Sequence, residues 1–193
     1  MMNITEIFKR MTLGMVLASM PLVGGCGDNT LTWQEEVKLL DGRVITVMQK
    51  RRIEERIERE AWLTFKLPEF SDKEIVWHEN LRPIVLNIYQ KKLYVVGIPG
   101  TIIEYNQYGR LEPMYIGYRY DNGQWIRIPF SEIPIEIYDI NMYPENMALH
   151  RLKHVSIADK VEIFKDDRWM PSQRRIDPNY RSNFSRQPAS TRR

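Results

Sequence analysis

The chain has 193 residues, of which 43% are hydrophobic and 27% charged, and its formal net charge is +3. These values lie near the averages of globular proteins, so we expect one domain that buries its own core rather than a disordered chain. The small positive charge does not indicate a nucleic-acid-binding protein. A single cysteine excludes an intramolecular disulfide and any zinc site with two or more thiolates.

The first 25 residues have the pattern of a secretory signal peptide. Two cations precede the stretch MTLGMVLASMPLV, which is shorter than the roughly 20 apolar residues of a spanning helix and fits the roughly 7–15 of a signal. Gly24 and Gly25 then supply the small side chains that a signal peptidase site requires. We therefore interpret residues 1–25 as a signal peptide.

The segment Val23-Gly24-Gly25-Cys26 resembles the lipobox of bacterial lipoproteins, where an apolar, a variable and a small residue precede an acylated cysteine. The resemblance implies that the Cys26 sulfur receives a diacylglycerol, that the chain is cut between Gly25 and Cys26, and that the new amino group is acylated too. Each buried acyl methylene contributes about 0.8 kcal/mol, so two or three chains anchor a protein durably. The resemblance also implies a lipid-anchored location in the bacterial cell envelope. Because Gly27 rather than aspartate follows the cysteine, the outer membrane is preferred over the inner.

Two other interpretations of the N-terminus remain open at this stage. One is a plain secretory signal, and the other is an uncleaved N-terminal helix of a cytoplasmic protein, each with an incidental cysteine. In the lipoprotein interpretation, residues 26–32 are a short polar tether before the folded body.

Residues 33–167 are predicted to form a mainly β, antiparallel domain of hairpins and meanders, with one or two short helices toward the C-terminus. Alternating apolar residues flank Asp41-Gly42, and aromatic-rich arms flank Asp121-Asn122-Gly123, both of which are strong hairpin signals. The stretches AWLTFKL, EIVWHE, PIVLNIY and LYVVGI are typical of strands. The sequence has no fixed-period repeat, so neither a propeller nor a solenoid is expected.

The stretch RRIEERIERE, residues 51–60, favours a short helix. Ile53 and Ile57 lie four residues apart, and Glu55 precedes Arg59 by four, which places an ion pair on one helix face. A long strand decorated with charges is the alternative.

The last third of the sequence changes character. Ser131 is predicted to cap a short helix through IPIEIYDIN, and Ser156 a second helix through IADKVEIFK. Residues 168–193 are rich in Arg, Pro, Ser and Asn, and we expect them to form a basic, irregular tail.

A search for catalytic and metal-binding patterns finds little. His150 and His154 have the spacing of two zinc ligands on a helix, but the cations between them would oppose a bound metal. His78 is expected to be an ordinary strand residue. The adjacent Glu35 and Glu36 would point to opposite faces of a strand and could not act together. Since no nucleophile elbow or phosphate loop is present, we predict no catalytic residue, metal or cofactor.

The region from Tyr89 to Trp125 is rich in aromatic side chains. On strands such side chains commonly form core and cross-strand pairs, and an exposed set can also stack on sugars or peptides. The candidate binding aromatics are Tyr105, Tyr108, Tyr115, Tyr118, Tyr120 and Trp125.

These features together predict a lipid-anchored envelope lipoprotein with a β-rich binding domain and no enzymatic activity. Its partners would be the membrane, through the lipid on Cys26, and an envelope protein or a glycan, but no nucleic acid. The stretches REAWLTFKLPEF and RIDPNYRSNF resemble uncharacterised proteobacterial lipoproteins, a resemblance that implies no activity. The alternative is an envelope hydrolase or other carbohydrate-acting enzyme whose site assembles from distant residues.

Overall fold

The computed structural model describes residues 29–54, 57–142, 153–164 and 174–188. They form the predicted mainly β fold, built from two sheets in which almost all neighbouring strands are antiparallel. The predicted signal peptide, its cleavage point at Gly25 and Cys26, and the lipidation of Cys26 lie outside the described residues, as does His150.

The first sheet contains five strands, which are β1 (Thr30–Lys38), β2 (Val44–Glu54), β3 (Ile57–Phe65), β4 (Ile75–Glu79) and the short β9 (His154–Val155). They lie in the order β4-β3-β2-β1-β9. Strands β1 to β4 pair antiparallel with their neighbours, whereas β9 runs parallel to β1.

The second sheet is a four-stranded antiparallel meander. Its strands are β5 (Arg82–Tyr89), β6 (Lys92–Ile98), β7 (Ile116–Asp121) and β8 (Gln124–Ile128), and they lie in that order. Among the described residues, two short α-helices accompany the sheets, α1 (Ile102–Gln107) and α2 (Ile157–Phe164).

Both predicted hairpins are confirmed. Gly42, in the turn between β1 and β2, has a φ of 90°, and Asn122 and Gly123, between β7 and β8, have φ values of 48° and 83°. Glycine adopts this left-handed backbone without a steric penalty, and asparagine tolerates it, which is why such pairs favour tight hairpins.

The main core lies between the two sheets. Alternate residues of the first sheet, among them Val37, Leu63 and Trp77, form one cluster with Leu86 and Val95 of the second. All five side chains are fully buried. Burial of a single large apolar side chain contributes about 1.5–3 kcal/mol, so this layer is a major source of stability.

The second sheet is covered on its other face as well. There Val85 and Val96 pack with Ile133, Ile137 and Ile176, which belong to the irregular chain that follows β8 and to the C-terminal segment. This explains why PIVLNIY and LYVVGI are nearly continuous apolar runs rather than alternating ones, since both faces of these strands are buried.

The predicted helix over residues 51–60 is wrong: the described part of this stretch belongs to two strands rather than to a helix or to one long strand. Residues up to Glu54 belong to β2, and residues from Ile57 belong to β3, with a register shift between Arg52 and Ile53. Pairing of both segments with their neighbouring strands outweighs a local charge pattern worth only a few tenths of a kcal/mol.

The later of the two predicted helices is confirmed. Ser156 caps α2: its Oγ accepts from the backbone N–H of Asp159 at 3.2 Å, and its own N–H donates to the Asp159 carboxylate at 2.8 Å. This reciprocal pair of hydrogen bonds is the pattern of a capping box.

The helix predicted at Ser131 is wrong. The chain there forms two separate 3-10 turns, Phe130–Glu132 and Ile135–Ile137. Pro134 lies between them, where its missing N–H interrupts helical hydrogen bonding.

Helix α1 is an element that the sequence analysis does not predict. It follows Thr101, whose Oγ1 accepts from the N–H of Ile103 at 3.1 Å. The sequence TIIE at this point is a recognisable capping signal, because a threonine precedes a glutamate by three positions.

The described part of the tail, residues 174–188, is irregular as expected but packs on the body. Ile176 is 2% exposed, and the ring of Phe184 lies 5.7 Å from that of Tyr105. The tail therefore contributes apolar side chains to the fold.

The outer face of the second sheet offers a test of this layering. A methyl group at Gly117 would lie 2.7 Å from Cγ1 of Ile133 and 2.9 Å from Cγ1 of Ile128. We expect Gly117→Ala to lower the free energy of unfolding, measured with urea, by about 1–3 kcal/mol through overpacking.

The double variant Gly117→Ala/Ile133→Ala provides the control, because the second substitution removes the nearest clashing atoms. The two costs should then be clearly less than additive. Fully additive costs would show that residue 133 does not cover Gly117.

Candidate functional site

The two sheets form a sandwich around the main core, and its two ends differ in the connections and charged residues that lie there. The chain enters β1 beside the end of β2, where the N–H of Ile53 donates to the carbonyl of Asn29 at 2.7 Å. We call this the Asn29 end.

Four hairpin connections lie at the opposite end, which we call the loop end. Each joins a strand that runs away from the Asn29 end to an antiparallel neighbour that returns toward it. The connections are residues 39–43, 66–74, 90–91 and 122–123.

A cleft of about 440 Å³ opens at the loop end. Three of the four connections contribute to it, together with the adjoining ends of β6 and β7. Its walls are formed by Glu69, Phe70, Lys91, Lys92, Arg119, Tyr120, Asp121, Asn122 and Gly123.

Arg43 holds one wall of this cleft in place. Its guanidinium donates to Asp41 at 2.8 Å through Nε and to Glu69 at 2.7 Å through a terminal nitrogen, which joins two of the loops. These hydrogen bonds lower the pKa of both carboxyls. Glu69 therefore contributes to the cleft a carboxylate that shares the Arg43 guanidinium with Asp41.

Three cations line the cleft, and they differ in their partners. Lys91 and Lys92 are exposed, and neither ammonium group forms a hydrogen bond or an ion pair with another described residue. Arg119 lies 3.5 Å from Glu132. Because hydrated cations at a concave surface attract anions, this cleft suits a small polar ligand.

A different group of charges is buried inside the sandwich. Glu35 is fully buried, and its carboxylate contacts the Lys160 ammonium at 2.5 Å and accepts from the amide of Gln49. Gln49 in turn accepts from Arg51 at 2.7 Å. Burial lowers the pKa of Lys160 and of Arg51.

The cluster continues toward the Asn29 end. Glu58 lies 2.9 Å from Arg51 and 3.3 Å from Arg82, and Glu104 lies 2.9 Å from Arg59. Both carboxylates are at most 9% exposed, and each has a cation beside it. Such charges tie elements of the fold together, whereas the hydrolase alternative requires a carboxyl that a substrate can reach.

The histidines and the paired glutamates take structural positions. His78 stacks on Trp62 with the ring centroids 4.3 Å apart, and His154 lies 3.5 Å from Glu36. Glu35 and Glu36 are adjacent on β1, and only the first points into the core. Within the described residues, no three His, Cys, Asp or Glu side chains are grouped closely enough to hold a metal ion.

The six candidate binding aromatics do not form one platform. Tyr105, Tyr115 and Tyr118 are at most 4% exposed, and burial is the main reason that the pKa of each phenol is raised, for Tyr105 to about 12. Tyr118 belongs to the core between the sheets and Tyr115 to the opposite face of the second sheet. Because both faces of that sheet are covered, aromatic side chains on either face belong to the hydrophobic core.

The other three candidates are half-buried and support the fold. Tyr108 donates to Glu79 at 2.8 Å, and the indole N–H of Trp125 donates to the carbonyl of Val76 at 2.9 Å, which joins β8 to β4. Of the six candidates, Tyr120 lines the cleft.

The remaining residues of the cleft are missed by sequence reasoning. In the sequence, Gln90-Lys91-Lys92 is visible only as a polar separator between two apolar strands. That separator marks a hairpin turn with two cations, but the loops that meet it in the fold are distant along the chain.

Comparison of the chain with protein-family models, with curated proteins and with solved structures found no match. Among the described residues, no helix has the length and apolar character that a membrane crossing demands.

The buried pair predicts a large effect of one substitution. We expect Lys160→Met to lower the free energy of unfolding by about 3–5 kcal/mol, because the carboxylate of Glu35 would remain buried without its cation. Urea unfolding at pH 7 measures this.

The double variant Lys160→Met/Glu35→Gln removes the charge but keeps an acceptor for Gln49. It should recover a large part of the loss. A double variant as unstable as the single one would contradict the assigned pairing.

Proposed function

We propose that this protein is a lipid-anchored bacterial envelope lipoprotein whose β-rich domain acts as a binding module rather than an enzyme. The observation that carries the proposal is the segment Val23-Gly24-Gly25-Cys26 behind a short apolar stretch with two preceding cations. That arrangement is what signal peptidase processing and cysteine acylation require, and two or three acyl chains suffice for stable anchoring.

The geometry of the domain is compatible with such an anchor. Asn29 lies three residues after Cys26, and three residues span at most about 11 Å. An acyl group on Cys26 would therefore keep the Asn29 end close to the membrane. The loop end, with its cleft, would face away from the bilayer, where an envelope protein or a glycan could reach it. The proposed location is the outer membrane.

The chemistry of the described residues supports binding over hydrolysis. Glu35, Glu58 and Glu104 lie beside cations inside the sandwich, where a substrate does not reach them. In the cleft, the pKa of Glu69 is lowered by Arg43, which is the opposite of the raised pKa that a general acid needs. This favours a module that presents a recognition surface.

Metabolic labelling with a palmitate analogue tests the anchor. Expressed in a Gram-negative host, the wild-type protein should incorporate the label and appear in the membrane fraction. Cys26→Ser should do neither, because the serine oxygen is not a substrate for the transfer. Intact-mass measurement of the wild type should show loss of the first 25 residues.

The matched control is Gly27→Ser, which alters the next position and keeps the thiol of Cys26. That variant should label as the wild type does and remain in the membrane fraction. Equal labelling of the wild type and Cys26→Ser would refute the lipoprotein assignment.

A further inference from the structure

We propose that the cleft at the loop end binds an acidic saccharide, meaning a sugar whose ring carries a carboxylate or a phosphate group. The inference names a ligand class for the binding module proposed above and rests on that function for its biological setting. Its structural basis is the set of side chains that line the cleft.

The cations account for the acidic group. The ammonium groups of Lys91 and Lys92 have no partner among the described residues and come from adjacent positions, in the β5–β6 turn and at the start of β6, whereas the Arg119 guanidinium is already engaged by Glu132. Charge-assisted hydrogen bonds from such groups to a carboxylate or phosphate are about twice as strong as neutral ones.

The carboxylates in the same cleft account for the hydroxyl groups. Asp121 and Glu69 would repel a bare anion, but they can accept hydrogen bonds from the hydroxyls of a sugar. The Asn122 side chain can both donate and accept. A ligand that carries an anionic group together with several hydroxyls satisfies both sets of side chains, whereas an inorganic anion satisfies only the cations.

Two aromatic rings provide an apolar wall. Phe70 and Tyr120 line the cleft, and both pack against the main core, so their positions are set by the fold. The C–H face of a pyranose ring is apolar enough to pack on such rings. The cleft volume of about 440 Å³ lies within the roughly 300–1,000 Å³ of small-molecule sites.

The backbone at Lys91 adopts a left-handed conformation. Gln90 and Lys91 have φ values of 47° and 61°, a left-handed conformation in which glycine or asparagine is preferred. A lysine there costs conformational energy, and such costs concentrate at ligand sites.

Isothermal titration calorimetry on the full chain, purified in a detergent without a sugar headgroup, tests the proposal. The probes are tetragalacturonate for a carboxylated sugar, glucose 6-phosphate for a phosphorylated one, neutral maltotetraose, and inorganic phosphate. We expect at least one acidic sugar to bind at least tenfold more tightly than maltotetraose and phosphate, and its affinity to fall with added salt.

Two outcomes would overturn the proposal. One is the absence of binding by both acidic sugars. The other is a preference of less than tenfold for the acidic sugar over maltotetraose or inorganic phosphate. The relative affinities of tetragalacturonate and glucose 6-phosphate distinguish a carboxylate from a phosphate as the recognised group.

The variant Lys91→Gly distinguishes binding at the cleft from a general effect of the protein's net charge. It should weaken binding of the acidic sugar at least fivefold while leaving the urea midpoint equal or higher, because glycine relieves the left-handed strain. Lys73→Ala is the matched control: Lys73 is an exposed lysine of the same end that does not line the cleft, and its removal should change affinity less than twofold. Equal losses in both variants would refute the site.

The test is independent of the anchor. Binding by Cys26→Ser should equal that of the wild type, so a failure of acyl labelling with intact sugar binding rejects only the anchor. Normal labelling without sugar binding rejects only the ligand.

Discussion

The contact between Glu35 and Lys160 is the constraint on which the closure of the sandwich depends. Glu35 lies on the buried face of β1, and Lys160 reaches it from α2, while the neighbouring Glu36 accepts from the N–H of Ile157 at 2.9 Å. Two adjacent residues of one strand thus hold the same helix. Since a buried charge without its counter-charge is costly, α2 has little freedom to leave this edge.

Hydrogen bonds of Asn141 connect the two sheets at the same edge. Asn141 accepts from the N–H of Leu86 at 3.0 Å and donates to the carbonyl of Lys38 at 2.9 Å, so one amide joins β5 to the end of β1. The Asn141 carbonyl also accepts from Lys160 at 2.7 Å. On the opposite edge, Trp125 joins β8 to β4. Side-chain hydrogen bonds therefore close both sides of the sandwich, which also protects β4 and β5 as edge strands.

Sequence reasoning recovers what depends on neighbours along the chain. The hairpin at Gly42 follows from backbone preferences, and the cap at Ser156 follows from local hydrogen bonding. It fails where pairing across the sheet decides. The strand through Arg51 is set by its pairing with Leu31 of β1 and Ala61 of β3, and no local pattern reveals that a guanidinium there is buried. The cleft is missed for the same reason, because its residues come from turns that meet only in the folded sandwich.

The distribution of charge separates the two ends of the domain in chemical character. Toward the Asn29 end, arginines such as Arg51 and Arg59 are neutralised by glutamates with little exposure, and their hydrogen bonds are used within the fold. At the loop end, Lys91 and Lys92 make no such bonds to the described residues and keep their hydrogen-bonding capacity for a ligand. A charge with a buried partner ties elements of the fold together, whereas the two cleft lysines remain available to a ligand. Side-chain hydrogen bonds at both edges of the sandwich fix the positions of the strand ends. The cleft residues on these strands are therefore positioned before a ligand binds.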